Sequence, residues 1–474
     1  MKICMLVEGS YPYVTGGLSA WVQMMIKGMP EHQFIIYSIA AEEKDRGQFQ
    51  YELPQNVIGI EEIFLDNILN LKSPRTGKYQ MTPAERNNLL SLICGEGDID
   101  LDRLLHTFRS RQSGNALEIF MSFEFFDVIT SAYQAKFSRL PFTDFFWTVR
   151  SMLLPLFYLI KQDLPEADLY HSVAAGYAGA VGGMAATLYK KPFILTEHGI
   201  YSREREEEII KCSWAKGDFK SLWINYFYSL AKLTYQKATR VFTMFEKNSE
   251  MQVTLGCDPA KIGIIPNGID VVGYESLKQL GGENGFINIA AVVRIVPVKD
   301  IVTMLRSFYL VKQKLPNARF YIIGPYDENK EYYEECLKVA ASLNIKDLEF
   351  TGSVNVREWM GKIDIMVLSS ISEGQPLSIL EGMASRKPFV TTDVGSCREL
   401  LQGNDDGFGT AGLVVPMMDF EEMAKAIVTL AQDKELRAEM GENGHRRISS
   451  LYTLEGFIEG YKKVYRETYA GGGV

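Results

Sequence analysis

No stretch of this chain is apolar for long enough to be read as a membrane span. The most apolar run, Met152–Ile160, has nine residues and contains Pro155, against roughly 20 needed to cross a bilayer. It is assigned to a packed core, the other use of such a run being a patch that docks on a membrane partner. An excess of positive charge is missing too: Lys and Arg number 50 against 59 Asp and Glu, a net charge of −9. No basic face for nucleic acid is therefore expected. Cysteine is sparse. The six residues, at positions 4, 94, 212, 257, 336 and 397, show no C-x-x-C and no metal-ligand spacing, so a zinc module or disulfide framework is excluded and reduced, packed thiols of a cytoplasmic protein are expected. Met1-Lys2 runs directly into a strand-like segment, so no signal peptide is expected. Asp98-Ile-Asp-Leu-Asp102 imitates a metal-binding D-x-D, but it lies in charge-patterned helical sequence and reads as a helix start.

What is present is an α/β pattern. At 474 residues, 46% hydrophobic and 23% charged, the chain has the composition of a globular protein of two or three domains. Lys2–Val7 is an apolar opening strand of the kind covered on both faces of a parallel sheet. Gly16-Gly17 and an amphipathic stretch, Leu18–Met29 with Trp21, Val22 and Met25 on one face, follow it; strand, Gly-Gly loop and helix form a generic phosphate-binding arrangement that also serves tight turns. Residues 41–165 read as an insertion of packed helices, rich in Phe, Tyr and Trp, between the second and third strands. Strands resume at Ala167–His171 and Pro192–Thr196, the latter running into Glu197-His198-Gly199. Ligands gather at carboxyl ends of strands in such sheets, which singles out His198, with His171 behind it. Pro266-Asn-Gly-Ile-Asp270 is a turn, 271–285 a linker, and Ile287–Val293 opens a second α/β series. Arg294 and Lys299 follow that strand, two cations able to grip a diphosphate.

The densest segment is Leu368–Ser396. Ile363–Leu368 reads as a strand, Ser372–Pro376 as a turn with Gly374 free to take positive φ, and Leu377, Leu380, Met383 and Ala384 recur at helical spacing. Lys387-Pro388 ends the helix, and Phe389–Thr392 is the next strand. Glu373 lies in the loop and Glu381 is eight residues on. The helix start at Gln375, Pro376, Leu377 and Ser378 should present free N–H groups to an anion. Taken alone, Glu373 also reads as a helix cap and Glu381 as a solvated charge. Later, one amphipathic helix is expected over Phe420–Gly441 and a last one over Thr453–Tyr469.

S-x-x-E-G-x-P-L-x-x-L-E-x-M-A-x-x-x-P-x-V-x-T-D-V-G, read from Ser370 to Gly395, resembles the signature of the retaining glycosyltransferases of family 4. The resemblance implies the GT-B fold: two doubly wound Rossmann-like domains facing each other across a cleft. It implies an acceptor-side domain over 1–272 with the 41–165 insertion, a nucleotide-sugar domain over 273–452, and a helix over 453–474 returning to the first. It further implies that Glu373 meets the donor sugar, Glu381 the nucleotide ribose, Arg294 and Lys299 the pyrophosphate, Gly16 and Gly17 the donor phosphates and acceptor, and His198 the sugar or its leaving phosphate. Two positions depart from the family pattern. Gln375-Pro376 stand where Phe-Gly is usual, which puts donor-sugar contacts in question, and Arg386 stands where Gly is usual, which should matter only to the helix end.

The opening segment, the long insertion, HSVAAGYAG, LTEHGIYSRER and SEGQPLSILE together resemble the cytoplasmic glycosyltransferases of bacterial Pel exopolysaccharide synthesis. That closer likeness implies a UDP-sugar donor, a growing polysaccharide acceptor and association with an inner-membrane synthase complex. No resident cofactor or metal is expected. Two other readings stand beside it: a sugar-nucleotide 2-epimerase of the same fold, and a silent subunit that binds nucleotide-sugar.

Overall fold

The apolar runs assemble, in a computed structural model describing residues 1–71, 80–109, 116–275 and 285–471, into two units. One comprises Met1–Thr243, Asn248–Ile264 and Tyr461–Val474; the other comprises Met244–Lys247 and Ile265–Gly460. The expected linker falls largely on 276–284, outside the described residues; before it, Val272–Glu275 forms a short helix of the second unit.

The first unit is built on seven parallel strands: β1 (Lys2–Glu8), β2 (Gln33–Ala40), β3 (Val57–Phe64), β4 (Leu169–Ser172), β5 (Phe193–Glu197), β6 (Arg240–Thr243) and β7 (Ile262–Ile264). Their order is β3-β2-β1-β4-β5-β6-β7. Ile3–Val7 of β1 are fully buried, the consequence of helices on both faces. The order reverses between β1 and β4, and ligands bind outside the carboxyl ends of strands at such a reversal.

β3 corrects the expected boundaries of the insertion. Val57–Phe64 pairs along β2 from Phe34 to Ala40, so the inserted helices lie between β3 and β4. The strand escapes a pattern search because it is an edge: Ile58 is half exposed, Gly59 interrupts the run, and Glu61-Glu62 stand where an inner strand would be apolar. The insertion opens on a capping box that sequence alone specifies. Thr82 Oγ1 accepts from Glu85 N, Glu85 Oε2 accepts from Thr82 N, and Pro83 holds the first helical position of Pro83–Cys94. Asp100 caps Leu101–Arg109 through the Arg103 amide, so the D-x-D mimic is a helix start as expected. Helices Ala116–Phe120, Phe123–Ala132 and Phe142–Ile160 complete it. Their aromatics pack with those of the sheet-covering helices into one core, in which Phe108 stacks on Phe157 at 3.7 Å. Six residues of Met152–Ile160 are buried there.

The second unit has six parallel strands: β8 (Ile287–Val292), β9 (Ala318–Ile323), β10 (Leu348–Gly352), β11 (Ile365–Leu368), β12 (Phe389–Thr392) and β13 (Gly412–Val415), in the order β10-β9-β8-β11-β12-β13. The reversal here falls between β8 and β11. The single helix expected over Phe420–Gly441 is two, Phe420–Gln432 and Lys434–Leu451, because Asp433 leaves helical geometry and caps the second through the Leu436 amide. On the second of them Arg447, fully buried, is matched by both carboxylate oxygens of Asp406 and three backbone carbonyls.

At the end of helix Leu377–Ala384, Arg386 stands at φ 57°. This is the left-handed position that closes a helix and favours glycine. A side chain there costs about 1–2 kcal/mol, which an exposed ion pair to Glu442 at 3.0 Å offsets only in part. Replacing Arg386 with Gly should therefore stabilise the second unit by about 1 kcal/mol, read as a rise in its urea midpoint at unchanged slope; an equal or lower midpoint would refute this account of the turn.

Candidate active site

In the second unit, chain reversal brings two loops together. After β8 the chain passes Arg294 and makes a 3₁₀ turn at Pro297–Lys299. After β11 it runs through Ser369, Ser370 and Glu373. Ser369 Oγ donates to the carbonyls of Lys299 and Asp300 at 2.9 and 2.8 Å, which ties one loop to the other. Lys299 Nζ then meets Glu373 Oε1 at 2.5 Å, and Ser370 Oγ donates to the same oxygen at 2.5 Å. The pair is largely withdrawn from solvent, with side-chain exposures of 17% for Lys299 and 8% for Glu373. Glu373 Oε2 has no partner among the described residues.

Three further contacts clamp the Glu373 loop from β12. Thr392 Oγ1 donates to Ser370 O at 2.6 Å, and the amide and hydroxyl of Ser396 both donate to Gly374 O at 3.0 Å. The positive φ expected at Gly374 falls instead at Gly395, φ 52°, where a Cβ would stand 2.2 Å from Glu373 O. Pro376 has no N–H and precedes helix Leu377–Ala384 as its cap residue. The donors of the Gln375–Ser378 segment are thus the amides of Gln375, Leu377 and Ser378. The Gln375 side chain turns away to accept from Asn267 N at 2.6 Å.

The remaining predicted groups of this unit are placed differently. Arg294 forks onto Glu328, both oxygens at 2.8 Å, with the pair about half exposed. Such a pair is worth little, so the guanidinium is free to trade partners at small cost. Glu381 is bonded to the Tyr274 hydroxyl. Burial pushes its carboxyl above the ordinary range, and burial together with the Glu381 charge takes the Tyr274 hydroxyl up to about 12. Arg357 lies over the Tyr274 ring and reaches Asp270 at 3.1 Å. Ser370 and Gly395 are the first and last fixed letters of the motif, though the motif assigns no role to either, and Tyr274 has no marker in the sequence beyond its nearness to the turn at Pro266–Asp270.

In the first unit, Gly16 is the N-cap of helix Gly17–Lys27. A Cβ on Gly16 or Gly17 would meet no protein atom within 4 Å, and neither residue lies in the left-handed region, Gly16 being extended at φ 170°. The fold itself does not require glycine there. Glu8, at the end of β1, was not singled out by sequence. It accepts from Ala178 N at 3.1 Å, in the first turn of helix Tyr177–Tyr189, and from Tyr201 Oη at 2.9 Å. His198 follows β5 with its ring edge-on to Trp21, centroids 4.8 Å apart. Its Nε2 is buried without a hydrogen-bond partner among the described residues, and burial pushes the imidazolium down to about 3. Burial thus favours the neutral ring of His198.

His171 is structural. It is fully buried between Tyr465 Oη at 2.7 Å and Thr196 Oγ1 at 2.8 Å, and burial takes its pKa down to about 3. Its neighbour Glu197 is also buried, held by Tyr235 and Gln252, with its carboxyl pushed up to about 7. The two act on stability with opposite signs. A depressed histidine costs stability as pH falls below its unfolded value near 6.5; a raised carboxyl adds stability as pH falls from 7 towards 4.5. Between pH 7 and 5 each amounts to about 2 kcal/mol. His198 adds a second depressed histidine to the same balance, so the His171 term is read by difference, in His171→Gln against wild type. On acidification from pH 7 to 5 the variant should gain about 2 kcal/mol relative to wild type, read from unfolding midpoints; parallel pH profiles would count against it.

With this geometry in hand, likeness to known proteins adds the class. Residues 1–260 match the family model described as "Domain of unknown function (DUF3492)", and residues 287–433 match that described as "Glycosyl transferases group 1". The chain is 25% identical over 330 residues to the Escherichia coli UDP-Gal:alpha-D-GlcNAc-diphosphoundecaprenol alpha-1,3-galactosyltransferase, covering 66% of this chain and 78% of that protein. Among solved structures, Anabaena HepE in complex with UDP is similar with a TM-score of 0.64 at 16% identity, covering 98% of this chain and 100% of the other. Sucrose-phosphate synthase from Thermosynechococcus elongatus is similar with a TM-score of 0.62 at 14% identity, covering 99% of each. These structural likenesses establish the fold as two parallel-sheet Rossmann-like units of GT-B type.

Proposed function

This chain belongs to the family described as "Domain of unknown function (DUF3492)" and carries a group 1 glycosyl transferase region, and from that premise we propose that it transfers a hexose from a UDP-sugar to a growing exopolysaccharide, with retention at the anomeric carbon. The observation that carries this reading is the shared carboxylate oxygen: Lys299 and Ser370 both hold Glu373 Oε1 and leave Oε2 for sugar hydroxyls. Lys299 then stands between the group that positions the sugar and the diphosphate that leaves. Arg294, released from Glu328, and the amides of Gln375, Leu377 and Ser378 share the charge that develops on the leaving nucleotide. Glu381 takes the ribose. Gly16 and Gly17 leave room for phosphate or acceptor, and His198, neutral, is the sugar-contacting group of the first unit. Glu373 is not a nucleophile in this scheme; the departing phosphate accepts the proton of the acceptor hydroxyl.

The UDP preference is supported by the UDP named for HepE and the UDP-galactose named for the E. coli enzyme. A polymer or lipid-linked acceptor is supported by the latter's name. Within this reading the chain corresponds to PelF, the transferase of Pel polysaccharide synthesis in biofilms, held at the inner membrane by partner proteins. No helix among the described residues is long and apolar enough to cross a membrane. The scheme needs no metal.

Nucleotide release from UDP-, GDP- and ADP-sugars tests it, with and without EDTA. The expected result is release from UDP-sugars alone, changed less than about two-fold by EDTA. Loss of release on chelation, restored by a divalent cation, would overturn the metal-free part. Conversion of donor to its C2 epimer without acceptor would replace transfer by epimerisation. No release from any donor, with membrane fractions present, would leave only a binding subunit.

A further inference from the structure

In the first unit, helix Phe142–Ile160 and the segment leading into helix Asp218–Lys237 line a pocket of about 370 Å³, within the range of small-molecule sites. Three of the five tryptophans of the chain, Trp147, Trp214 and Trp223, line it. Trp147 is 51% and Trp214 64% exposed, so neither ring is there to fill a core. Their poses are nonetheless fixed. Trp214 stands at 88° to Trp223, centroids 5.3 Å apart, and the Arg150 guanidinium covers Trp147 at 5.1 Å. Asp144 and Thr148 flank Trp147 at helical spacing, so all three lie on one face, and Lys216 stands by the other wall. The side chains of Asp144, Thr148 and Lys216 have no hydrogen-bond or ion-pair partner among the described residues.

Aromatic walls interleaved with an unpaired carboxylate, ammonium and hydroxyl select a class of ligand. A lipid chain or an apolar protein helix seated here would offer Asp144 and Lys216, both exposed at the rim, no hydrogen-bond partner. A sugar ring satisfies both demands. Its C–H face lies on an indole, as other apolar surface does, while its hydroxyls donate to Asp144 and accept from Lys216. We propose that this pocket is a glycan-holding subsite that takes one or two rings of an oligosaccharide. It rests on the transfer reading only in identifying that oligosaccharide with the growing acceptor chain. Its role is to retain the polymer on the insertion between additions.

The test uses the full chain and intrinsic tryptophan fluorescence. Maltotetraose, cellotetraose and chitotetraose are titrated separately, and phosphatidylglycerol vesicles are used as the rival probe. The expected result is a saturable change with at least one tetraose, weakened at least ten-fold in Trp214→Ala and in Trp147→Ala, and kept in Trp359→Phe, which changes a tryptophan of the second unit. Unfolding midpoints of the two alanine variants verify that they fold, and both positions are more than half exposed. No change with any tetraose, or a change undiminished in both alanine variants, overturns the proposal. So does vesicle binding that Trp214→Ala abolishes, which would make the patch a membrane contact. Donor turnover with membrane fractions as the source of acceptor, measured on the unsubstituted protein, reports the transfer reading separately. Glycan binding without turnover would remove the transfer reading and leave the pocket; turnover without glycan binding would do the reverse.

Discussion

Lys299→Ala is expected to lower nucleotide release from the donor by about 10²–10³-fold, the usual consequence of removing one preorganised charge from a transition state. The residue does two things at once. In the proposed mechanism it meets charge on the leaving diphosphate, and at 2.5 Å it holds the Glu373 carboxylate. Its loss therefore also leaves a carboxylate of 8% side-chain exposure with only Ser370 for support. Glu373→Gln keeps the shape and the Ser370 contact but removes the charge; a loss of at least about ten-fold, near 1.4 kcal/mol of transition-state stabilisation, is expected. The two substitutions should be non-additive, because they break the same pair. Arg294→Ala should act mainly on donor affinity, since its present partner is exposed and weakly held. Single-turnover release, with midpoints measured in parallel, separates chemistry from folding. Activity within three-fold of wild type in Lys299→Ala would remove the central element of the proposed mechanism.

Gly395→Ala should be the most damaging change at a residue with no proposed substrate contact of its own. Alanine would have to adopt φ 52° and place its Cβ 2.2 Å from Glu373 O and 2.5 Å from Gly374 O. Those atoms are backbone, so relief requires the Glu373 loop itself to move. The left-handed penalty and the overpacking together come to about 3 kcal/mol. If the loop yields, stability is spared but the Lys299–Glu373 contact is lost and turnover falls with it. The expected result is a drop of either the unfolding midpoint of the second unit or the turnover, and unchanged values of both would show that the loop does not depend on this close approach. Ser396→Ala, which removes only the hydroxyl donor to Gly374 O and leaves the amide one, should give a milder version of the same effect.

Sequence reached far into this protein wherever the determining interaction is local. Buried parallel strands such as β1 and β11 are written as apolar runs, because both faces meet helices. The start of helix Pro83–Cys94 is written as Thr82-Pro83-Ala84-Glu85, because donors and acceptors of a capping box lie three residues apart. The Glu373–Glu381 segment and its strand–loop–helix–strand frame were legible for the same reason. Edge strand β3 was not, since an edge has no second neighbour to demand apolar residues. The break at Asp433 was not, since amphipathic spacing continues across it and only the cap interrupts the helix.

The chemistry of the candidate site lies on the other side of that line. Lys299 and Glu373 are 74 residues apart, and their contact exists because strand order reverses between β8 and β11 and sets their loops side by side. The pairing of β11 with β12 decided that positive φ belongs to Gly395, where the Glu373 loop passes, and not to Gly374. Neutral His198 and the opposed titrations of His171 and Glu197 arise from burial under elements distant in the chain. Local periodicity, capping and turn chemistry thus determined which elements form and where the motifs sit on them. Pairing, burial and charge state were decided by the tertiary structure alone, because each depends on what another part of the chain places within a few ångströms.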